Sequence, residues 1–234
     1  MTTETFEAWL LHKRPSGDTS AQATFFTREK GILNCLYKGG RTPKKQATLQ
    51  PFIPLWLAID ARKDWIYVRH LETIAHLCSP RGHSLWAGLY MNELLFYALR
   101  PMDPQPALFD VYLGTMQQFV TNPDKIAVEV LLRRFEWGLL LACGYSVSFN
   151  EEARTFTPIV IESFYQFIAG EGFIAAERGF TGKDILALAQ GQLDNLHLLK
   201  IAKLIMRQSI DHLLGGKELK SRSFAQRVAV MQRK

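Results

Sequence analysis

Cysteine is scarce in these 234 residues: only Cys35, Cys78 and Cys143, far apart and each among apolar neighbours. An odd, scattered set supports neither a disulfide framework nor a Cys-x-x-Cys metal site. The six histidines (His12, His70, His76, His83, His197 and His212) form no H-E-x-x-H pair and read as surface or half-buried side chains rather than ligands. No apolar run approaches the roughly 18 uninterrupted residues of a bilayer span. The opening MTTETFEAWL carries two acids and no base, unlike a signal peptide. A cytoplasmic location with no membrane partner is the expectation.

Nucleotide and catalytic signatures are missing too. Neither YKGGRTPKK nor GGKELK fits the P-loop spacing, and no G-x-G-x-x-G occurs. There is no Gly-x-Ser-x-Gly and no Cys-His arrangement, and Cys143 sits at a Leu-rich helix end. Glu93 and Glu136 fall mid-helix without a sequence partner for acid–base work. The expectation is a protein that is not an enzyme and needs no cofactor.

What is present is an uneven charge. The net charge is +6, yet residues 12–45 hold eight Lys/Arg against two acids, and residues 200–234 hold nine against two. The remainder is therefore acidic. Two basic blocks around an acidic middle suit a protein that meets a polyanion at particular surfaces, although exposed basic segments also serve solubility alone.

Along the chain, the first 80 residues read as strands. FEAWLLH, AQATFFT, ILNCLY, LQPFIPLWLAID and WIYVRHLE are rich in β-branched and aromatic residues, with RPSGDTS, REKG and ARKD as turns. Five short strands in this length predict a small closed barrel, with the OB-fold as the candidate. The composition changes near CSPRGH (78–83), which is taken as a domain boundary. Residues 81–234 then carry helical periods at 84–99, 106–120, 124–145 and 195–214, with an irregular, partly strand-like segment over 145–180. Asn122 and Pro123 predict a capped start to the third of these helices and Gly144 its stop, Gly215-Gly216 ends the fourth, and Thr181 with Asp184 forms a capping box. The fold class expected is α+β: a five-stranded OB-fold barrel over 1–80, then an α-helical domain.

The stretch LYKGGRTPKK (36–45) concentrates the N-terminal charge. Gly39-Gly40 permits a turn and close approach to phosphate, Pro43 is read as keeping the exit out of a helix, and Lys38, Arg41, Lys44 and Lys45 bring cations to one rim. Lys13 and Arg14 after the first strand, and Arg28 and Lys30 in the next turn, are assigned to the same surface. Such contacts hold a nucleic-acid backbone and read no sequence. Among Phe25, Phe26, Tyr37, Trp56, Trp65 and Tyr67, strand alternation sends at least half inward. Each taken singly is read as core, except Tyr37, which abuts the basic loop and is assigned to base stacking.

Seven stretches, LHKRPSGDTS, FTREKG with YKGGR, LQPFIPL, GLYMNELL, LRRFEWGLLLACGY, GFIA and LGGKELKSR, together resemble the bacterial DNA repair protein RecO family, in its order and over nearly the whole chain. The resemblance implies an OB-fold followed by a helical domain. It also implies a DNA-recombination mediator that binds single- and double-stranded DNA, anneals complementary strands, engages the C-terminal tail of single-stranded-DNA-binding protein (SSB), and with RecR helps RecA load. It implies a cytoplasmic, nucleoid-associated protein. Some members carry a zinc-binding cysteine cluster after the GY dipeptide. Residues 145–180 here contain no cysteine, so no zinc is expected.

An acidic tail ending in apolar residues and a carboxylate requires an apolar pocket edged by cations. Arg133 and Arg134 of LLRRFEW fit that role, and Lys203 with Arg207 on one helix face are further candidates; pairing of the two arginines with acids across a helix interface is the competing reading. Lys217, Lys220 and Arg222 of GGKELKSR are assigned to DNA or a partner. The alternative function is a non-enzymatic scaffold whose basic surfaces meet acidic protein tails.

Overall fold

Phe6, Ala8 and Leu10 alternate with Glu7 and Trp9, and this two-residue period makes the first segment a strand with an inward row. In the computed structural model, which describes residues 4–62, 65–75 and 79–224, that strand is β1 (Glu4–Ser16). It is followed by β2 (Ser20–Thr27), β3 (Gly31–Tyr37), β4 (Pro54–Arg62) and β5 (Trp65–Thr73). The expected turn at residues 63–64, Cys78 and His76, and the basic residues Arg227, Arg233 and Lys234 lie outside the described residues.

The five strands close a barrel in the order β1-β2-β3-β5-β4, antiparallel except for β3 beside β5. β4 returns to β1 through pairs such as Phe6–Leu57 and Ala8–Leu55, so no edge is left open. Phe25, Leu33, Cys35, Leu55 and Leu57 fill the interior with Phe6, Ala8 and Leu10. Burial pushes the Cys35 thiol up to about 12, which makes it packing material rather than a nucleophile.

Between β3 and β4 the chain forms α1 (Pro43–Thr48), where the reading from sequence had Pro43 excluding a helix. Pro43 occupies the first turn, where its missing N–H leaves no helical bond unmade and its fixed φ already suits a helix.

The outward face of β1 and β2 is covered as well. Trp9 and Phe26 meet Tyr112 edge-on at 5.6 and 5.8 Å, and Phe26 also meets Phe109. These partners belong to α3 (Pro106–Val120), which packs with α2 (Gly82–Ala98). Asn92 of α2 joins the two layers: its amide donates to the Leu10 carbonyl and accepts the Tyr112 hydroxyl at 2.8 Å. The packing thus groups α2 and α3 with the barrel, whereas the sequence reading ended the first domain at residue 80.

Two compact units result: the chain up to Asp124 together with the return from Leu219, and Lys125–Glu218. In the second, α4 (Lys125–Ala142) packs along α6 (Leu196–Leu213), with α5 (Gly182–Ala189) between them in sequence. Val128, Leu131, Phe135 and Leu139 recur at helical spacing and are buried. Asn122 does not cap α4. It is left-handed (φ 58°), its N–H closes on the Phe119 carbonyl to end α3, and α4 starts only at Lys125. Gly144 and Gly215 do stop their helices, each left-handed and followed by the long return bond of a Schellman cap (Tyr145 to Leu140, Gly216 to Asp211). Thr181 caps α5 through Asp184, accepting its N–H at 3.1 Å.

The irregular segment contains a small sheet, β7 (Gly172–Ala176), β6 (Phe164–Ile168) and β8 (Phe180–Thr181), in that order. The loop before it is tied by one carboxylate. Glu152 accepts the N–H groups of Arg154 and Thr155 and the Thr155 hydroxyl, at 3.0, 2.5 and 2.5 Å. Among the described residues no three His, Cys, Asp or Glu side chains converge as a metal-binding group. In this segment a carboxylate organises the loop.

Candidate nucleic-acid interface

The pairing of β1 with β2 shifts by one between Leu10 and His12. Leu11 is the extra residue, and a bulge of this kind re-aims everything after it. Leu10 faces the core opposite Phe25, yet His12 pairs with Thr24 and Arg14 with Gln22, both outward positions of β2. Simple alternation from Leu10 would have turned His12 and Arg14 inward. The rows continue across the barrel, Thr24 beside Asn34, and Gln22 beside Leu36 beside Tyr67.

A cleft of about 410 Å³ opens on this face, with Thr24 and Asn34 on its floor and Trp65 and Phe96 at its sides. The Thr24 hydroxyl donates to the Asn34 amide oxygen at 2.8 Å. The His12 ring lies 4.8 Å from that of Phe96. Burial, then Arg14, then Lys220 hold the imidazole below its ordinary range. Cations some two hundred positions apart thus act on one ring. The chain at Lys220 is held by Glu93 of α2, which accepts the N–H groups of Lys220 and Ser221 at 2.9 Å each, beside the buried Leu219. Arg222 lies over the Tyr90 ring, while Lys217 stays exposed.

The basic loop contributes unevenly. Lys38 is exposed and stands 5.2 Å over the Tyr67 ring, with Arg62 on the same ring at 6.0 Å. Lys44 is exposed on α1. Arg41 instead ties turns together, donating to the Gly17 and Asp18 carbonyls at 3.0 Å each. Lys45 donates to the Lys38 carbonyl and lies 4.7 Å over the Tyr37 ring.

Four assignments need correction. Tyr37, read as a stacking platform, is only 5% exposed and belongs to the barrel core, because strand alternation puts it on the inner row with Cys35. Arg28 and Lys30 do not join the face: they lie at the opposite end of the β2–β3 hairpin, paired with Asp110 and Glu4. Lys13 has the opposite parity to Arg14, and its ammonium donates to the Leu49 carbonyl at 2.6 Å; burial lowers its pKa. In their place stand residues the sequence reading passed over. Trp65, read as core, is 49% exposed and lines the cleft. His12 and Arg62 join the face, and the only sequence signal for them was proximity to other cations and aromatics.

The second unit holds a separate pocket of about 340 Å³ between α4, α5 and α6. Trp137, Phe149, Leu188, Ala202 and Met206 make it apolar, and Arg133 and Arg134 edge it. Arg133 is 6% exposed and pairs at 2.9 Å with the 1%-exposed Glu136, one turn along the same helix rather than across an interface. Arg134 is exposed and has no acidic partner among the described residues. Lys203 and Arg207 do not line the pocket. They lie exposed on α6 and pair with Glu129 at 2.6 Å and Asp211 at 3.9 Å.

Among the described residues no helix is long and apolar enough to cross a membrane. The model for the recombination protein O N-terminal region matches residues 1–76, and that for its C-terminal region matches residues 81–222. The chain is 54% identical to a DNA repair protein RecO of Legionella pneumophila (strain Corby), over 95% of this chain and 98% of that protein. It is 36% identical to a DNA repair protein RecO of Actinobacillus pleuropneumoniae serotype 7, over 94% of this chain and 93% of the relative. A counterpart from Glaesserella parasuis is 34% identical, over 94% of each. The chain belongs to the RecO family of DNA repair proteins.

Proposed function

We propose that the protein is a DNA-binding recombination mediator without catalytic chemistry. It holds single- and double-stranded DNA by the backbone along the outer barrel face, and it anneals complementary strands. The observation that carries the reading is the gathering of cations on one outer face of the barrel, where Arg14 lines the cleft beside His12 and Lys38 and Arg62 share the Tyr67 ring. Neutralising phosphate lowers the repulsion between two polyanions, while contacts made to the backbone leave base edges free to pair. Annealing needs nothing further from the protein.

The α4–α6 pocket supports the second half of the proposal. A tail that ends in apolar residues and carboxylates, as the C-terminus of SSB does, has apolar lining at Trp137 and Met206 and an exposed cation at Arg134. Delivery to SSB-coated DNA, and help to RecA with RecR, belong to the same proposal and rest on the resemblance alone; no residue is assigned to RecR.

The test is fluorescence-anisotropy binding of a labelled oligonucleotide over a salt series, comparing wild type with Arg14→Glu/Lys38→Glu/Lys220→Glu. If these three cations each meet one phosphate, the slope of log affinity against log salt falls by about two on a single strand. An unchanged slope removes the barrel face from DNA. Failure of wild type to bind at low salt leaves the acidic-tail scaffold, for which the same pocket is the site.

A further inference from the structure

Phosphate binding needs only cations on a convex surface, and the cleft on the outer barrel face offers more. It has an indole at one side, a ring pair at the other, and a polar floor, within a volume in the range of small-ligand sites (roughly 300–1,000 Å³). Trp65 is half exposed at the start of β5, an arrangement that leaves a large π-face uncovered. The floor is fixed in its hydrogen bonding. Because Thr24 donates to the Asn34 oxygen, the amide nitrogen is the Asn34 group left to donate to a ligand. A cation lines the cleft at Arg14, which Gln22 holds along the sheet at 2.7 Å.

We propose that this cleft is a single-nucleotide subsite that takes one unpaired base, stacked on Trp65 and edge-bonded by Asn34, with a flanking phosphate on Arg14. The inference rests on the reading of this face as the DNA surface and deepens it. Carbonyl or ring-nitrogen acceptors occur on every base, so one amide donor does not choose among them. What the subsite distinguishes is an unstacked strand from a duplex. In a duplex the π-faces are occupied by neighbouring bases, so only the phosphates are available to the protein. The unpaired strand therefore gains a contact that is surrendered when the strand pairs. Annealed product leaves the cleft, while the backbone contacts persist until salt or a partner displaces them.

The experiment uses the full chain and three labelled probes of equal length: oligo(dT), the corresponding abasic strand, and a duplex. Wild type is expected to bind oligo(dT) about tenfold more tightly than the abasic strand, since base–aromatic stacking is of about this strength. Trp65→Ala is expected to erase that difference while leaving the abasic strand and the duplex unchanged, and Trp65→Phe to restore most of it. Trp65 is exposed, so its removal leaves the barrel core intact; thermal melting of each variant checks this. Equal binding of oligo(dT) and the abasic strand by wild type overturns the proposal while leaving the DNA surface standing. A loss that Trp65→Ala spreads equally over all three probes also overturns it. If wild type binds none of the probes, the DNA surface itself fails with it.

Discussion

Glu93 of α2 accepts both the backbone N–H and the hydroxyl of Ser221, at 2.9 and 2.5 Å, across 128 positions of sequence. With the Lys220 N–H on its other oxygen, this carboxylate caps the helical turn at 220–224 and anchors Lys220 to the barrel unit. A carboxylate on free N–H groups at a helix start is favoured twice, by hydrogen bonding and by the local dipole.

Glu93→Ala should release that turn. Lost hydrogen bonds to a charged acceptor and their desolvation cost about 2 kcal/mol, seen as a lower urea midpoint. The specific signature is electrostatic. With Lys220 detached, the His12 pKa measured by NMR should rise, and DNA affinity should fall as far as in Lys220→Glu. A stability loss with an unmoved His12 titration would contradict the docking role.

His12 also sets a pH dependence. Its folded pKa lies below the ordinary value of 6.5, so between the two values the unfolded chain binds more protons. Its contribution to stability is complete above pH 6.5 and is lost as pH falls below it. DNA binding has the opposite sense, because a phosphate beside the ring favours the imidazolium. Affinity should strengthen as pH falls through this range, by a margin that His12→Gln removes. An identical pH profile in the variant would place DNA away from this ring.

In the other unit, Arg133 and Glu136 form a buried pair, and Arg134 is an exposed cation with no acidic partner among the described residues. Glu136→Ala should cost about 3–5 kcal/mol, since it strands a buried guanidinium. Arg134→Ala should leave stability within about 0.5 kcal/mol. The same change should weaken binding of a synthetic peptide with an acidic, apolar-ended C-terminus. Calorimetric titration of both variants checks the contrast, and a peptide affinity untouched by Arg134→Ala would exclude this pocket.

Glu152 makes its loop acid-sensitive. The Thr155 hydroxyl, then the Thr155 N–H, hold its carboxyl below the ordinary 4.5. That stability is present above pH 4.5 and disappears as pH falls through the lower folded value. Glu152→Gln should lower the melting temperature at pH 7 and flatten its fall under acid. A parallel fall in both proteins would show that other carboxylates dominate.

Much of this was legible in the chain. Periods of two in FEAWLLH and AQATFFT, and helical spacing in KIAVEVLLRRFEWGLLLA, decide strand or helix locally, so all five barrel strands were found in place. The Gly144 and Gly215 stops were equally visible, because a left-handed residue after a helix is a local requirement. The misjudged positions share a cause. Pro43 was read without its neighbours on α1, and Tyr37 without the parity that sends it inward.

By itself the sequence determined the strand or helix character of the longer segments and the two blocks of positive charge, since these depend on short-range period and composition; the order and closure of the barrel come from long-range pairings such as β1 with β4. Only the tertiary structure decided which cations remain for a partner. One unpaired residue, Leu11, turned His12 and Arg14 outward. Asp110, 82 positions from Arg28, withdrew that cation, while Glu93 returned Lys220 to the barrel from 127 positions away. Charge is a property of the residue, but its availability depends on what packing brings beside it.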